Sequence, residues 1–258
     1  EEYRGKPHDL SEKMISYGGA FIGAMTFAVT DSHWFNAVEA EVYAMSTFSI
    51  GIVVWLILKW SQNTGQPGNV RYILIIAYII GLATGIHLLN LLGLTFIGLI
   101  IYFKKFDFKW NTFALVILIT GSSFLVIYKG IIKGLPNLAN NFGIYAVIFA
   151  VIMVVSSMIF AVNQKKYLLA TVLSSVVLII IGYSTYATIF IRANQHPRIN
   201  ENNPDTTARA VSYLNREQYG DWDITDRAQS LANSSNFKRW TNNKNNPKRD
   251  EINRFVWD

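Results

Sequence analysis

Three carboxylates, a histidine and several aromatic residues fall within one short stretch, DSHWFNAVEAEVYAMS, residues 31–46. Asp31, His33, Glu39, Glu41 and Tyr43 are of types that bind a hydroxyl-bearing substrate, act as a general base or ligate a metal. Apolar runs flank the stretch on both sides. An ionised side chain near a bilayer centre costs about 2.5–3.5 kcal/mol on insertion scales, so the segment either lies at a membrane surface or lines a wet cavity. Read as a short surface helix, it puts Asn36, Glu39 and Tyr43 on one face at i, i+3 and i+7. Glu41 then points away, beside Ala37 and Met45, and the two glutamates serve one pocket only if the segment bends. Trp34 and Phe35 suit an interfacial aromatic belt. The competing reading is a connector whose acids meet water and set topology.

Two further places carry chemistry. His87 lies one turn from Asn90, at the end of a long apolar run, and reads either as a site residue or as a hydrogen-bonded structural histidine. Lys129 and Lys133, at i and i+4 in KGIIKGLPNLANN, suit a lipid-linked phosphate, or alternatively snorkel to headgroups. The sequence has no cysteine, which removes disulfides and thiolate chemistry. Metal ligation by Asp31, His33 or Glu41 has no ligand spacing such as HExxH behind it, and no metal site is assigned. P-loop, GxSxG, GxGxxG and EF-hand patterns are absent.

The elements that must position these residues are helices in a membrane. The chain is 51% hydrophobic and 16% charged, too apolar for an ordinary soluble domain. Seven apolar runs, at about 14–30, 42–58, 72–89, 91–103, 110–128, 144–162 and 167–191, predict an all-α polytopic membrane protein with about seven transmembrane helices. The first run is rich in small residues, which let helices approach closely in lipid. The third and fourth, with only Asn90 between them, form a tight hairpin or one broken helix; the hairpin is preferred.

Basic residues then set the orientation. With residues 1–13 cytoplasmic, the inner side takes Arg4, Lys6, Lys13, Lys59, Arg71, Lys104, Lys105, Lys109, Lys165 and Lys166. The short outer loops take only Lys129 and Lys133, together with Asp31, Glu39, Glu41 and the His87–Asn90 corner. The domain at 14–191 is therefore transmembrane, and the polar segment 192–258 is extramembrane, on the outer side.

That segment carries 11 Lys/Arg against 9 Asp/Glu. The interleaved acids argue against nucleic acid as the partner of a chain with net charge +6. Asn203-Pro204 predicts a turn, Asp205 an N-cap, and a short helix follows to about Asn215. The segment reads as a small lid or as a solvated connector to a further domain. Asn233 opens an NSS glycan-acceptor triplet, a pattern that recurs by chance.

The stretch DSHWFNAVEAEVYAMS, then VVWLILKW, RYILIIAYIIGLATGIHLLNLL, IIYFKK, NENNPD and YLNREQYGD, resembles a bacterial multi-pass family. That family is similar to a vertebrate transmembrane protein O-mannosyltransferase and, more distantly, to GT-C glycosyltransferases. The resemblance covers most of 14–220 and is most specific at AEVY, GIHLLNLL and NREQYGD. It implies a GT-C-like fold in a bacterial inner membrane, with the tail periplasmic. It also implies transfer of a sugar from a polyprenyl-phosphate donor to a protein or glycan hydroxyl on the non-cytoplasmic face. The lipid-linked sugar is then the donor substrate, and no separate cofactor is implied. Glu41 and His87 become the candidate catalytic residues, with Glu39, Tyr43, Asn90, Lys129 and Lys133 as candidate substrate-binding residues.

The family's first outer loop carries an acidic D-x-G-E-like motif and an HPPG-like turn, which these residues lack; the expectation is a chain cut from a longer polypeptide or an inactive relative. The alternative to an enzyme is a structural or accessory subunit of a membrane complex, with the tail as docking surface. A transporter fits less well, because the polar residues cluster at one rim rather than along a through-path.

Overall fold

In hydrocarbon a backbone has to satisfy its own polar groups, so apolar runs of this length become helices. A computed structural model describes residues 9–39, 42–215 and 217. The protein is 82% helical, with no strand among the described residues. It divides into two units, Glu1–Val211 and Ser212–Asp258. The described part of the second is the end of one helix and Glu217; the first holds the membrane bundle.

The helices are α1 (Leu10–Ala28), α2 (Asp31–Val38), α3 (Tyr43–Gln62), α4 (Val70–Ile86), α5 (Gly93–Lys105), α6 (Trp110–Val126), α7 (Gly134–Phe142), α8 (Ile144–Asn163), α9 (Tyr167–Ser184), α10 (Ala187–Ala193) and α11 (Thr207–Asn215). Five stretches are long and apolar enough to cross a membrane: Tyr43–Gln62, Leu88–Lys105, Trp110–Phe142, Ile144–Asn163 and Tyr167–Ala193. The chain is an all-α polytopic membrane protein. The other two expected spans correspond to α4, which is apolar throughout but only 17 residues long, and to α1. α1 starts from an Asp9 cap whose carboxylate accepts the Ser11 N–H, and it has no buried residue.

Contacts fix the directions of the spans. α3 and α4 are antiparallel, with Asn69 donating to the Trp60 carbonyl at one end and Ser46 bonded to Asn90 at the other. α5 runs parallel to α3: a Cβ at Gly93 would touch Ile50, and the Lys105 ammonium lies 5.6 Å from the Trp60 ring. The chain therefore reverses between α4 and α5, as the hairpin reading expects, and both legs pack on α3. α9 runs parallel to α4, since Gly81 meets Ile179 and Gly85 meets Tyr186.

The tightest seam is α4 against α9. A Cβ on Gly182 would run into the backbone of Tyr78 and Leu82, and one on Gly81 into the backbone of Ile179. Lipid tails are as apolar as leucine, so helices here gain by close packing rather than by leaving water, and glycine permits it. The core of Val53, Leu56, Ile57, Ile76, Ile80 and Ile179 lies around this seam.

The basic end holds Lys59, Arg71, Lys104 and Lys105 in the terminal turns of α3, α4 and α5, and Lys109, Lys165 and Lys166 in the loops. Tyr102, 1% exposed, ties one of these loops: its hydroxyl accepts the Lys109 N–H at 2.9 Å and lies 2.7 Å from Thr112 Oγ1. The opposite end holds α2, the His87 corner, α7, α10 and residues 194–206. Two local readings change. KGIIKGLPNLANN is helical rather than a loop: α6 passes through a π-helical turn, Ile127–Ile132, into α7. Lys133 N–H reaches back five residues to the Tyr128 carbonyl, a wide turn that lets the long helix change direction without breaking. The cap of α11 is Thr206 rather than Asp205, because the Thr206 hydroxyl accepts the Arg209 N–H while Asp205 pairs with the Arg209 side chain.

Candidate functional site at the His87 corner

The opening stretch folds as two helices at an angle. α2 stops at Val38, and Glu39 is extended, with ψ 152°. The face expected from Asn36 through Glu39 to Tyr43 is therefore broken, and Tyr43 begins α3 as a separate element. Glu41 lies outside the described residues, as do the NSS triplet and most of NREQYGD.

α4 ends because His87 adopts an extended conformation, φ −152° and ψ 127°. Its Nδ1 then accepts the Leu89 N–H at 3.2 Å and caps a 3-10 turn, Leu88–Leu92. With Nδ1 used as an acceptor, the neutral ring carries its proton on Nε2. The ring packs against Tyr43, centroids 5.5 Å apart and 47° inclined. Asn90, 1% exposed, uses both ends of its amide: Nδ2 donates to the Ala83 carbonyl at 2.8 Å, and Oδ1 accepts the Ser46 hydroxyl at 2.8 Å. The first bond closes the frayed end of α4, and the second fixes α3 to the corner. Asn90 thus holds the corner in shape.

Tyr43, His87 and Asn90 are brought together; the other candidates among the described residues are not. Glu39 is exposed at the end of α2. His33 turns toward Phe27, ring centroids 4.5 Å apart, and into a second hollow lined by Thr47, Phe48, Gly51 and Trp55. Lys129 is exposed on the π turn, and Lys133 places its ammonium 5.1 Å from the Tyr128 ring. A relay of tyrosines joins that segment to the corner: Tyr183 donates weakly to the Ile132 carbonyl, stacks on Tyr186 at 5.5 Å, and Tyr186 touches Gly85, two residues before His87. Among the described residues no three His, Asp or Glu side chains gather as a metal site.

Sequence reasoning missed the cavity on the far side of Tyr186. It measures about 450 Å³ and lies between α7, α8, α9 and α10, with Pro204–Thr207 at its mouth. The signal was present in NENNPD. Those residues build the mouth: Asn200 donates to Asn203, Asn203 to Asp205, and Asn194 to the Asp205 carbonyl. Burial alone would raise the Asp205 pKa, but the hydrogen bond and charge of Arg209, with the Asn203 amide, hold it below the ordinary value.

Residues 2–110 match the family model of the protein O-mannosyl-transferase TMEM260 N-terminal domain. The match takes in α1 to α5, and with them the AEVY and GIHLLNLL blocks. No curated protein and no solved structure matches the chain.

Proposed function

We propose, from the relation of residues 2–110 to the O-mannosyltransferase TMEM260 N-terminal domain, that this chain is part of a GT-C-like membrane glycosyltransferase. It moves a sugar from a polyprenyl-phosphate donor to a protein or glycan hydroxyl on the non-cytoplasmic side of a bacterial inner membrane. The bond from the sugar's anomeric carbon to the phosphate oxygen breaks, the bond to the acceptor oxygen forms, and the acceptor proton passes to a base. One observation carries the reading: the Tyr43–His87 ring contact and the Ser46–Asn90 hydrogen bond put the two family blocks side by side at one end of the bundle, away from the basic loops.

In this reading Glu41 orients the acceptor or the sugar. His87 presents Nε2–H to the departing phosphate as a hydrogen-bond donor, because Nδ1 is engaged with Leu89. Lys129, on the π turn, and Lys133, just after it, lie apart from the corner and would supply positive charge on its phosphate side, while Glu39 and Tyr43 border the acceptor side. Asn90 is a positioning residue. The outer end is taken as periplasmic, a reading supported by the basic residues gathered at the other end.

The test is sugar transfer in membranes from a labelled polyprenyl-phosphate sugar by Glu41→Gln, His87→Ala and His87→Asn. All three are expected to lose transfer at normal expression. His87→Asn is the sharper variant, since asparagine is a good N-cap and keeps an acceptor for the Leu89 N–H while lacking the imidazole. Normal transfer by the Glu41 and His87 variants removes these residues from the site.

A further inference from the structure

The geometry points to a second ligand site: the cavity beyond Tyr186 holds one acyl chain of a zwitterionic aminophospholipid, whose headgroup sits on the Asp205–Arg209 pair. Its walls are Leu135, Ala139, Val147, Val151, Ile180 and Ala187; its polar lining is Tyr183, Ser184 and Tyr186 on one side and Asp205, Thr206 and Thr207 at the mouth. α8, which forms one wall, has only Ala161 buried and is the least buried of the five membrane-length spans, so the cavity lies beside a helix open to surrounding hydrocarbon. A buried water needs two to four polar partners; the Tyr183 and Ser184 hydroxyls in the body of the cavity already donate to the Ile132 and Ile181 carbonyls, and apart from Tyr186 the rest of its wall is apolar. Inside a bilayer such a space fills with a lipid chain.

Size and charge select which lipid. At about 30 Å³ for a group the size of water or a methylene, 450 Å³ holds about fifteen such groups, the length of one ordinary acyl tail. The isoprenoid of a lipid-linked sugar is several times longer and would leave most of its length outside. At the mouth, the Asp205 carboxylate and the Arg209 guanidinium lie 2.8 Å apart, with Arg209 the more exposed of the two. A headgroup bearing an ammonium and a phosphate meets this pair with both charges matched: ammonium to Asp205, phosphate to Arg209. Thr207 Oγ1 donates to Asn140 Oδ1, which fixes the mouth on α7. The bound chain would back the Tyr186 ring, which rests on Gly85 beside His87, so the lipid braces the corner from behind.

The experiment uses the full chain in lipid nanodiscs containing a phosphatidylethanolamine with a photoreactive acyl chain, followed by peptide mapping. Val147, Val151 and Ala187 are expected to label about fivefold more than Leu118, a lipid-facing residue of α6; this ratio corresponds to ~1 kcal/mol of preference. Ala187→Trp, which fills the cavity, should bring labelling down to the Leu118 level. Excess unlabelled phosphatidylethanolamine should do the same in the unaltered protein, independently of whether that variant folds. Asp205→Asn with Arg209→Gln should remove the preference over the matching phosphatidylglycerol probe. Labelling equal to Leu118, equal labelling by the two phospholipid probes in the unaltered protein, or labelling by a photoreactive polyprenyl phosphate in place of the acyl probe would each overturn the proposal.

Discussion

The bond between Ser46 and Asn90 gives a quantitative test of how the corner is held. Asn90→Ala removes a donor to the Ala83 carbonyl and an acceptor from the Ser46 hydroxyl, both at 2.8 Å. Neither partner is abandoned. Ala83 keeps the His87 N–H at 2.9 Å, and Ser46 is free to turn to the Val42 carbonyl, as Thr47 and Ser49 do with the carbonyls four residues before them. The cost is two net hydrogen bonds of about 1 kcal/mol each plus a small cavity, about 2–3 kcal/mol. Ser46→Ala instead leaves a buried Asn90 Oδ1 with no donor, at about 1–2 kcal/mol. Interhelical hydrogen bonds in membranes couple by ~0.6 kcal/mol on average and ~1.7 at most. Asn90 is only 1% exposed and Ser46 half-buried, which places this pair in the upper half of that range, so the double variant should be about 1 kcal/mol more stable than the sum of the single losses. Unfolding in mixed micelles followed by tyrosine fluorescence measures all four forms, with Thr47→Ala as an exposed control. Additivity within ~0.3 kcal/mol, or an Asn90→Ala loss no larger than the control's, refutes the account of the corner.

Gly182→Leu should separate α4 from α9, costing ~3 kcal/mol or more because the obstacle is backbone; cysteine crosslinking between the two helices would fall with it. Tyr102→Phe takes the acceptor from the Lys109 N–H; because residues 106–109 are exposed, water replaces part of that bond, so the cost should be about 0.5–1.5 kcal/mol, with faster proteolysis between Lys105 and Trp110. The Asp205 pKa is depressed in the folded chain, so its contribution is complete above the unfolded value of about 3.9 and is lost as pH falls through the folded value. Hydrogen exchange of residues 200–207 should therefore accelerate below about pH 4, and Asp205→Asn should abolish that dependence.

Much of the bundle was legible in the sequence because hydrocarbon imposes one rule on every apolar run. The alternation of lysine-bearing loops with acidic and histidine-bearing ones gave the order of crossings, and Ser46 meeting Asn90 at the end opposite Lys105 agrees with it. What escaped were features set by packing. KGIIKGLPNLANN looked like a loop because glycine and proline punctuate it, yet Pro136 sits in the first turn of α7, where a missing N–H costs nothing. Asn90 looked like a ligand for substrate; its amide is spent on Ala83 and Ser46, a fact no spacing rule contains. The cavity was invisible because its walls come from four successive helices and the loop after them, and only their packing against one another leaves a hollow.

The glycine contact between α4 and α9 has a mechanical corollary. Two helices meeting backbone to backbone cannot slide without collision, so they behave as one strut. One end of that strut carries both the imidazole and the paired tyrosines Tyr183 and Tyr186. Under the proposed transfer reaction, substrate would then be admitted by movement of the parts around this strut rather than by sliding of α4 on α9.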